Sequence, residues 1–191
     1  MSERRQKGFT LIELLIVIAI IGFLAAAILV AVDPVKRIQS ARDAKRWSEV
    51  NGILNAILNK QVDDKATYNG ATGVGEAPIV TDATNAQVIV RQTPTGTPCT
   101  AAGTKPLCPT VTLSSVGVAC VAQLDGAADT TQDLAPTFIA QLPVDPKSDA
   151  PATGPVLGDD NTGYYIHRTA GNRIEIGSCW PDQVASISVR R

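Results

Sequence analysis

The chain has 191 residues, 45% of them hydrophobic, and a formal net charge of -1. That length suits one domain with an appended segment. The near-zero charge argues against a general nucleic-acid binder, which needs a basic excess to meet phosphates, and aromatics at 4% leave few stacking platforms for bases.

MSERRQKG opens the chain, with Arg4, Arg5 and Lys7. Residues 9–32, FTLIELLIVIAIIGFLAAAILVAV, follow; 21 of these 24 are apolar, the exceptions being Thr10, Glu13 and Gly22. Of the other 167 residues about 39% are apolar, enough for only a modest core. As a helix, residues 9–32 would extend about 36 Å, against a hydrocarbon core of about 30 Å. A secretory signal peptide cut after Ala25-Ala26-Ala27 competes with a membrane span. Its apolar stretch, however, would end after about 7–15 residues, and this one runs past that site. Neither a signal peptide nor a plain anchor accounts for Glu13. A carboxylate at that depth costs roughly 2.5–3.5 kcal/mol on insertion scales. Nothing cationic lies within one helical turn of it unless a new N-terminus is made nearby.

The run from Lys7 through Gly8, Phe9, Thr10, Leu11, Ile12 and Glu13 to Gly22 resembles the class III signal peptide of type IV pilins and type II secretion pseudopilins. The resemblance covers about the first 30 residues closely. It implies cleavage between Gly8 and Phe9 by a prepilin peptidase, N-methylation of Phe9, and retention of the apolar run as a filament core. It also gives Glu13 a role: pairing with the Phe9 amine of a neighbouring subunit. An ion pair in low dielectric is favourable only when both charges are matched, so the pair would register head-to-tail assembly, and contacts that do not close give helical filaments. Basic residues do not fix the orientation, because Arg4, Arg5 and Lys7 on one flank face Lys36, Arg37, Arg42, Lys45 and Arg46 on the other. The family and the cysteines place the C-terminal part outside.

Asp33-Pro34 follows the apolar run. Either Asp33 caps a new helix with Pro34 first, or one long helix is kinked there. Val50, Ile53, Leu54, Ile57 and Leu58 then keep helical spacing to about Lys60. Ile38, Ala41 and Ala44 extend an apolar side; Arg42, Asp43, Lys45, Arg46 and Glu49 form a charged one. A helical rod about 80 Å long over 9–62 is expected, with Gly22 and Pro34 as points where it bends.

Turn formers dominate residues 63–76, and the glycines there lack the context of a phosphate loop. Strand-like runs are expected at 78–81, 86–92, 110–115, 116–124, 163–168, 172–177 and 184–189, with a hairpin through Thr169-Ala170-Gly171. In its second arm Ile174 and Ile176 face inward. Residues 133–142 suggest a short helix or turn. The Leu142-Pro143-Val144-Asp145-Pro146 segment before a tyrosine-rich strand is similar, less specifically, to pilin-like proteins. Residues 125–160 hold seven Asp against Lys147, which reads as a solvated acidic surface. Asp159-Asp160-Asn161-Thr162-Gly163, with Asp145 and Asp149 nearby, does not fit the EF-hand pattern, and a hydrated loop is preferred to a calcium site.

Cys99, Cys108, Cys120 and Cys179 allow three pairings, and disulfides are expected in an exported domain. Cys99 and Cys108 flank a turn-rich loop and are expected to close it, leaving Cys120 for Cys179. No Cys-x-x-Cys occurs and the single histidine, His167, is remote, so no metal is expected. Trp47 and Trp180 read as packing residues. No nucleophile has a supporting triad context.

The expected fold is therefore α+β, a long N-terminal helix packed on an antiparallel sheet head. The expected organisation is leader 1–8, membrane and filament-core helix 9–32, amphipathic helix 33–62 and head domain 63–191. The expected role is a non-enzymatic subunit of a type IV pilus-like filament or type II secretion pseudopilus, without cofactor. Implied partners are further copies of the chain, minor pilins or pseudopilins, the prepilin peptidase and an assembly platform protein, with nucleic acid no direct ligand. Implied locations are the inner membrane before assembly and an extracellular pilus or periplasmic pseudopilus after it. The alternative is a membrane-anchored or secreted binding domain that never polymerises.

Overall fold

The structure, a computed structural model, describes residues 8–70, 79, 81, 85–90, 108–113, 121–124, 134–147 and 161–191. It divides into two units, Met1–Gln39 and Ser40–Arg191.

In the first unit the apolar run forms helix α1, Leu11–Val32, with no buried residue. Leucine, isoleucine and alanine dominate it; leucine and alanine are strong helix formers. The single membrane-length apolar helix among the described residues is this one. The helix ends at Asp33, which takes a left-handed conformation (φ 43°), one that Asp tolerates better than most residues. The Asp33 carboxylate accepts the Lys36 amide hydrogen at 3.3 Å, and Pro34 is the first residue of α2, Pro34–Asp64. Of the two outcomes open in the sequence, a new helix capped by Asp33 is the one adopted. Proline suits its first position because the amide it lacks would have had no partner there. The Arg37 side chain donates to the Val32 carbonyl at 3.3 Å, satisfying one of the acceptors exposed at the end of α1.

In the second unit the part of α2 that carries Val50, Ile53, Leu54 and Ile57 packs on a five-stranded sheet. Its strands are β1 (Gln87–Val90), β2 (Val121–Gln123), β3 (Asn161–Arg168), β4 (Ile174–Ser178) and β5 (Ser188–Arg190), in the order β2-β1-β3-β4-β5. β1, β3, β4 and β5 pair antiparallel, while β2 joins β1 in parallel. The expected α+β arrangement is thus present, with one parallel edge. The expected hairpin is present too: Tyr165 pairs with Gly177 and Ile166 with Ile176, and Asn172 turns the chain at φ 61°. Of the other expected strands, the described residues of 110–115 form a bridge from Leu113 to Ala86, and those of 78–81 one from Thr81 to Arg168. Residues 134–142 form turns rather than a helix.

Strand alternation gives the sheet two covered faces. One carries Ile89, Tyr164, Ile166, Ile174 and Ile176, packed against Val50, Ile53, Leu54 and Ile57 of α2. The other carries Val88, Val90 and Tyr165, packed with Cys108 and Cys179 and covered by Val111, Leu113 and Trp180. Cys108 is bonded to Cys179, at a sequence separation of 71. This corrects the expected pairing of Cys108 with Cys99 and of Cys179 with Cys120. The reason is topological: residues 108–113 lie over the second face beside the end of β4. Thr110 there donates to the Ser178 carbonyl at 3.0 Å. Cys99 and Cys120 lie outside the described residues. Gly177 is needed under the Tyr165 ring, since a Cβ there would come within 2.5 Å of it.

Candidate functional site

Two constellations carry chemistry. The first is the start of α1. Gly8 and Phe9 are exposed just before it, outside regular secondary structure, Phe9 at 82%. Thr10 is the N-cap, and its hydroxyl accepts the Glu13 amide hydrogen at 3.3 Å. Glu13 Oε2 in turn accepts the Thr10 amide hydrogen at 2.8 Å and the Thr10 hydroxyl at 2.7 Å. This reciprocal arrangement is a capping box. It turns the carboxylate back toward the helix start, the end at which Phe9 stands. A Cβ at Gly8 or at Gly22 would meet nothing within 4 Å, so packing within this chain does not require glycine at either position.

The second constellation is a buried charge junction in the Ser40–Arg191 unit. Arg46, on α2, has no exposed side-chain surface. Its guanidinium donates to both oxygens of Asp145, at 2.7 and 2.8 Å, to Asp43 at 2.7 Å and to Asp182 at 2.8 Å. Arg42 also grips Asp182 through two bonds, at 2.7 and 3.1 Å, and Lys147 reaches it at 3.4 Å. Asp43 accepts the backbone amides of Asp182 and Gln183 at 2.9 and 2.8 Å. Asp145 further accepts the Lys147 amide hydrogen at 2.8 Å and the Ser178 hydroxyl at 3.4 Å. Three cations thus face three carboxylates, and every carboxylate has its acceptors engaged, as buried charge requires.

Local backbone makes this possible. Gly163 of β3 has φ 80°, and a Cβ there would lie 2.6 Å from Asp145 Cβ. Its bare backbone lets the 142–147 segment lie against the strand, where Asp145 N–H bonds the Thr162 carbonyl at 2.8 Å. Burial alone would push the Asp182 carboxyl up, but the hydrogen bonds and charges of Arg42 and Arg46 outweigh it and hold the group well below the usual carboxylate range. Asp43 is likewise lowered: burial is outweighed by the amides of Asp182 and Gln183 and by Arg46. The Arg46 guanidinium is displaced upward, its burial outweighed by bonds to Asp145 and Asp182. Alongside, the Tyr164 hydroxyl bonds Glu49, which Lys45 pairs at 3.6 Å.

Several expectations are corrected here. The expected apolar and charged sides of α2 do not divide inside from outside at this level: Asp43 and Arg46 of the charged side are buried, whereas Ile38 of the apolar side is 57% exposed and Ala41 and Ala44 are exposed. The sequence carried a signal for this: 43, 46, 50, 53 and 57 continue the three-and-four spacing of the core residues backward. Asp145 belongs to the junction and is 3% exposed, so it is no part of a hydrated acidic surface. Asp149, Asp159 and Asp160 lie outside the described residues. Trp180 does pack, against the second cluster, whereas Trp47 is 42% exposed. Among the described residues no cluster of His, Cys, Asp or Glu is suited to a metal ion.

Residues 4–29 match the family model described as the prokaryotic N-terminal methylation motif. Over 72 residues the chain is 43% identical to the type IV major fimbrial protein FimA of Dichelobacter nodosus, a stretch covering 37% of this chain and 43% of that protein. Over 70 residues it is 49% identical to the type IV major alpha-pilin of Moraxella bovis, covering 36% of this chain and 38% of the relative. The chain therefore spans about two fifths of the length of the curated relatives it matches. No solved structure matches it. The N-terminal part of the chain is thus similar to the methylation-motif segment of type IV pilins.

Proposed function

We propose that the chain is a structural, non-enzymatic subunit of a type IV pilus-like filament or type II secretion pseudopilus. It is made as a prepilin, cut by a prepilin peptidase between Gly8 and Phe9, N-methylated at Phe9 and held in the inner membrane by residues 9–32. It then assembles with further copies and minor pilins or pseudopilins at a platform protein, into an extracellular pilus or a periplasmic pseudopilus. The observation that carries this reading is the methylation motif lying on a helix that is apolar on every side and wholly exposed. Such a helix must be covered by lipid or by other helices.

Glu13 links the two states. In the membrane its carboxylate is served by Thr10 through the capping box, which reduces the cost of its burial but leaves its charge. Cleavage after Gly8 creates a cationic amine at Phe9. In a filament that amine, from a neighbouring subunit, would neutralise the charge where it is costliest. The carboxylate already faces the start of the helix, as such a pairing needs. A chain meeting the filament in the wrong register would leave both charges unmatched.

Mass spectrometry of the mature chain from isolated surface filaments tests this. A methylated Phe9 at the N-terminus is expected. An N-terminus at Ile28, from a cut after Ala27, would overturn the proposal in favour of a secreted domain.

A further inference from the structure

We infer that the charge junction around Arg46 is a mechanical clamp, which passes load applied along α2 into the sheet. The inference takes its setting from the filament reading above, in which a subunit is held by its N-terminal helix.

Two kinds of contact hold the packed part of α2. Val50, Ile53, Leu54 and Ile57 are apolar contacts with the sheet. These are non-directional and scale with area, so a helix sliding along its axis loses them gradually. The junction is directional. Arg46 is shared between Asp145 and Asp182, so α2 cannot advance without breaking its bonds to 142–147 and 180–183 together. Asp43 adds two backbone bonds to the second of these segments.

Both segments are anchored behind the junction. Asp145 is tied to β3 through the Thr162 carbonyl at 2.8 Å and to β4 through Ser178. Asp182 follows three residues after Cys179, whose disulfide to Cys108 fastens it to the cover of the opposite sheet face. The 180–183 segment therefore cannot yield by peeling away from β4. Load entering at Arg46 reaches β3 through hydrogen bonds and the far face through a covalent bond.

The test loads the full chain, in detergent micelles, between handles on azide-bearing residues introduced at 41 and 173, in an optical trap. Ala41 is exposed on α2 ahead of the junction, and Arg173 is exposed in the β3–β4 turn. That turn sits at the other end of the helix, where Asn172 bonds Thr67 at 3.2 Å. Arg46→Gln is compared with Leu54→Ala, a core variant, with urea midpoints measured on both. A clamp predicts that Arg46→Gln lowers the rupture force roughly twofold, since charge-assisted bonds are about twice as strong as neutral ones. Leu54→Ala would lower it much less for an equal loss of equilibrium stability. Rupture forces that simply follow the urea midpoints in both variants would overturn the inference. Should Arg46→Gln not fold, Arg42→Gln, which removes two bonds to Asp182, must lower the force by more than the Leu54→Ala force predicts for the same fall in midpoint; a force that only follows the midpoint overturns it equally. A chain that forms no filaments would overturn the filament reading without altering these forces.

Discussion

Arg46 holds Asp145 through both carboxylate oxygens, at 2.7 and 2.8 Å, across 99 residues of sequence. The pair joins a helix laid down early in the chain to a segment that follows only after β1 and β2. Removing the cation would leave Asp43, Asp145 and Asp182 short of bonds in a buried site. Arg46→Met is expected to destabilise the head by about 3–5 kcal/mol, the cost of breaking a buried pair from one side. Urea denaturation followed by tryptophan fluorescence measures it. A double-mutant cycle with Asp145→Asn separates the pair from its surroundings. A coupling near zero would mean that Asp145 is served by Ser178 and Lys147 instead.

Acid should open the same junction. Asp43 and Asp182 both have lowered pKa values in the folded state, against about 3.9 for an unfolded aspartate. The folded protein then binds fewer protons than the unfolded chain over that range. Their contribution is fully present above about pH 5 and is lost as pH falls through the unfolded and then the folded values. Urea midpoints are expected to hold level from pH 7 to about 5 and then to fall. Asp182→Asn should lower the midpoint at pH 7 and flatten the acid limb. An acid limb as steep as in the unsubstituted protein would mean that other carboxylates produce it.

Gly163 makes the junction sterically possible, so Gly163→Ala should damage it from the strand side. The new methyl group would have to displace Asp145, and the φ of 80° is itself unfavourable to an alanine. A loss of about 1–3 kcal/mol is expected from overpacking, with the backbone strain adding to it. The same substitution combined with Arg46→Met should cost less than the two separately, because they damage one junction. Strict additivity in the denaturation midpoints would argue that Gly163 supports something else.

The Cys108–Cys179 disulfide joins positions 71 apart in sequence and closes a loop that contains β2, β3 and β4. Replacing both cysteines with serine is expected to cost about 2–5 kcal/mol. Peptide mapping under non-reducing conditions should recover the two cysteines in one linked species. A peptide linking Cys99 to Cys108 would contradict the arrangement of the second sheet face.

What the sequence disclosed divides along the same lines. Local signals were legible. The apolar run and the hairpin through Thr169-Ala170-Gly171 depend on neighbours in the chain and were readable as such, while Asp33-Pro34 marked the boundary but left a capped new helix and a kinked one both open. Arg46 was not, because its burial depends on Asp145 and Asp182, which only the folded sheet brings near. Taken alone, Arg42, Asp43, Lys45 and Arg46 look like a solvated helix face. Their place in the three-and-four spacing of Val50, Ile53 and Ile57 was the counter-signal. The disulfide failed for the same reason: a short loop between Cys99 and Cys108 is the simplest closure in sequence, while the cover over the second face is set by tertiary packing.

Thr10 and Glu13 allow the last prediction to separate two roles of one carboxylate. Thr10→Val removes the hydroxyl that accepts the Glu13 amide and donates to its Oε2, but keeps the backbone N–H bond to the same oxygen. Loss of an N-cap of this type costs about 1 kcal/mol. The helix start should loosen, leaving the charge of Glu13 in place to pair with a Phe9 amine. Glu13→Ala removes that charge altogether. Both precursors should be cut at Gly8, which neither substitution touches, whereas Gly8→Ala should block cutting; immunoblots that resolve precursor from mature chain report this. Filament yield, counted by electron microscopy, should then fall modestly in Thr10→Val and nearly vanish in Glu13→Ala. Equal loss in the two would mean that capping of α1, rather than pairing of charges between subunits, is what assembly requires of Glu13.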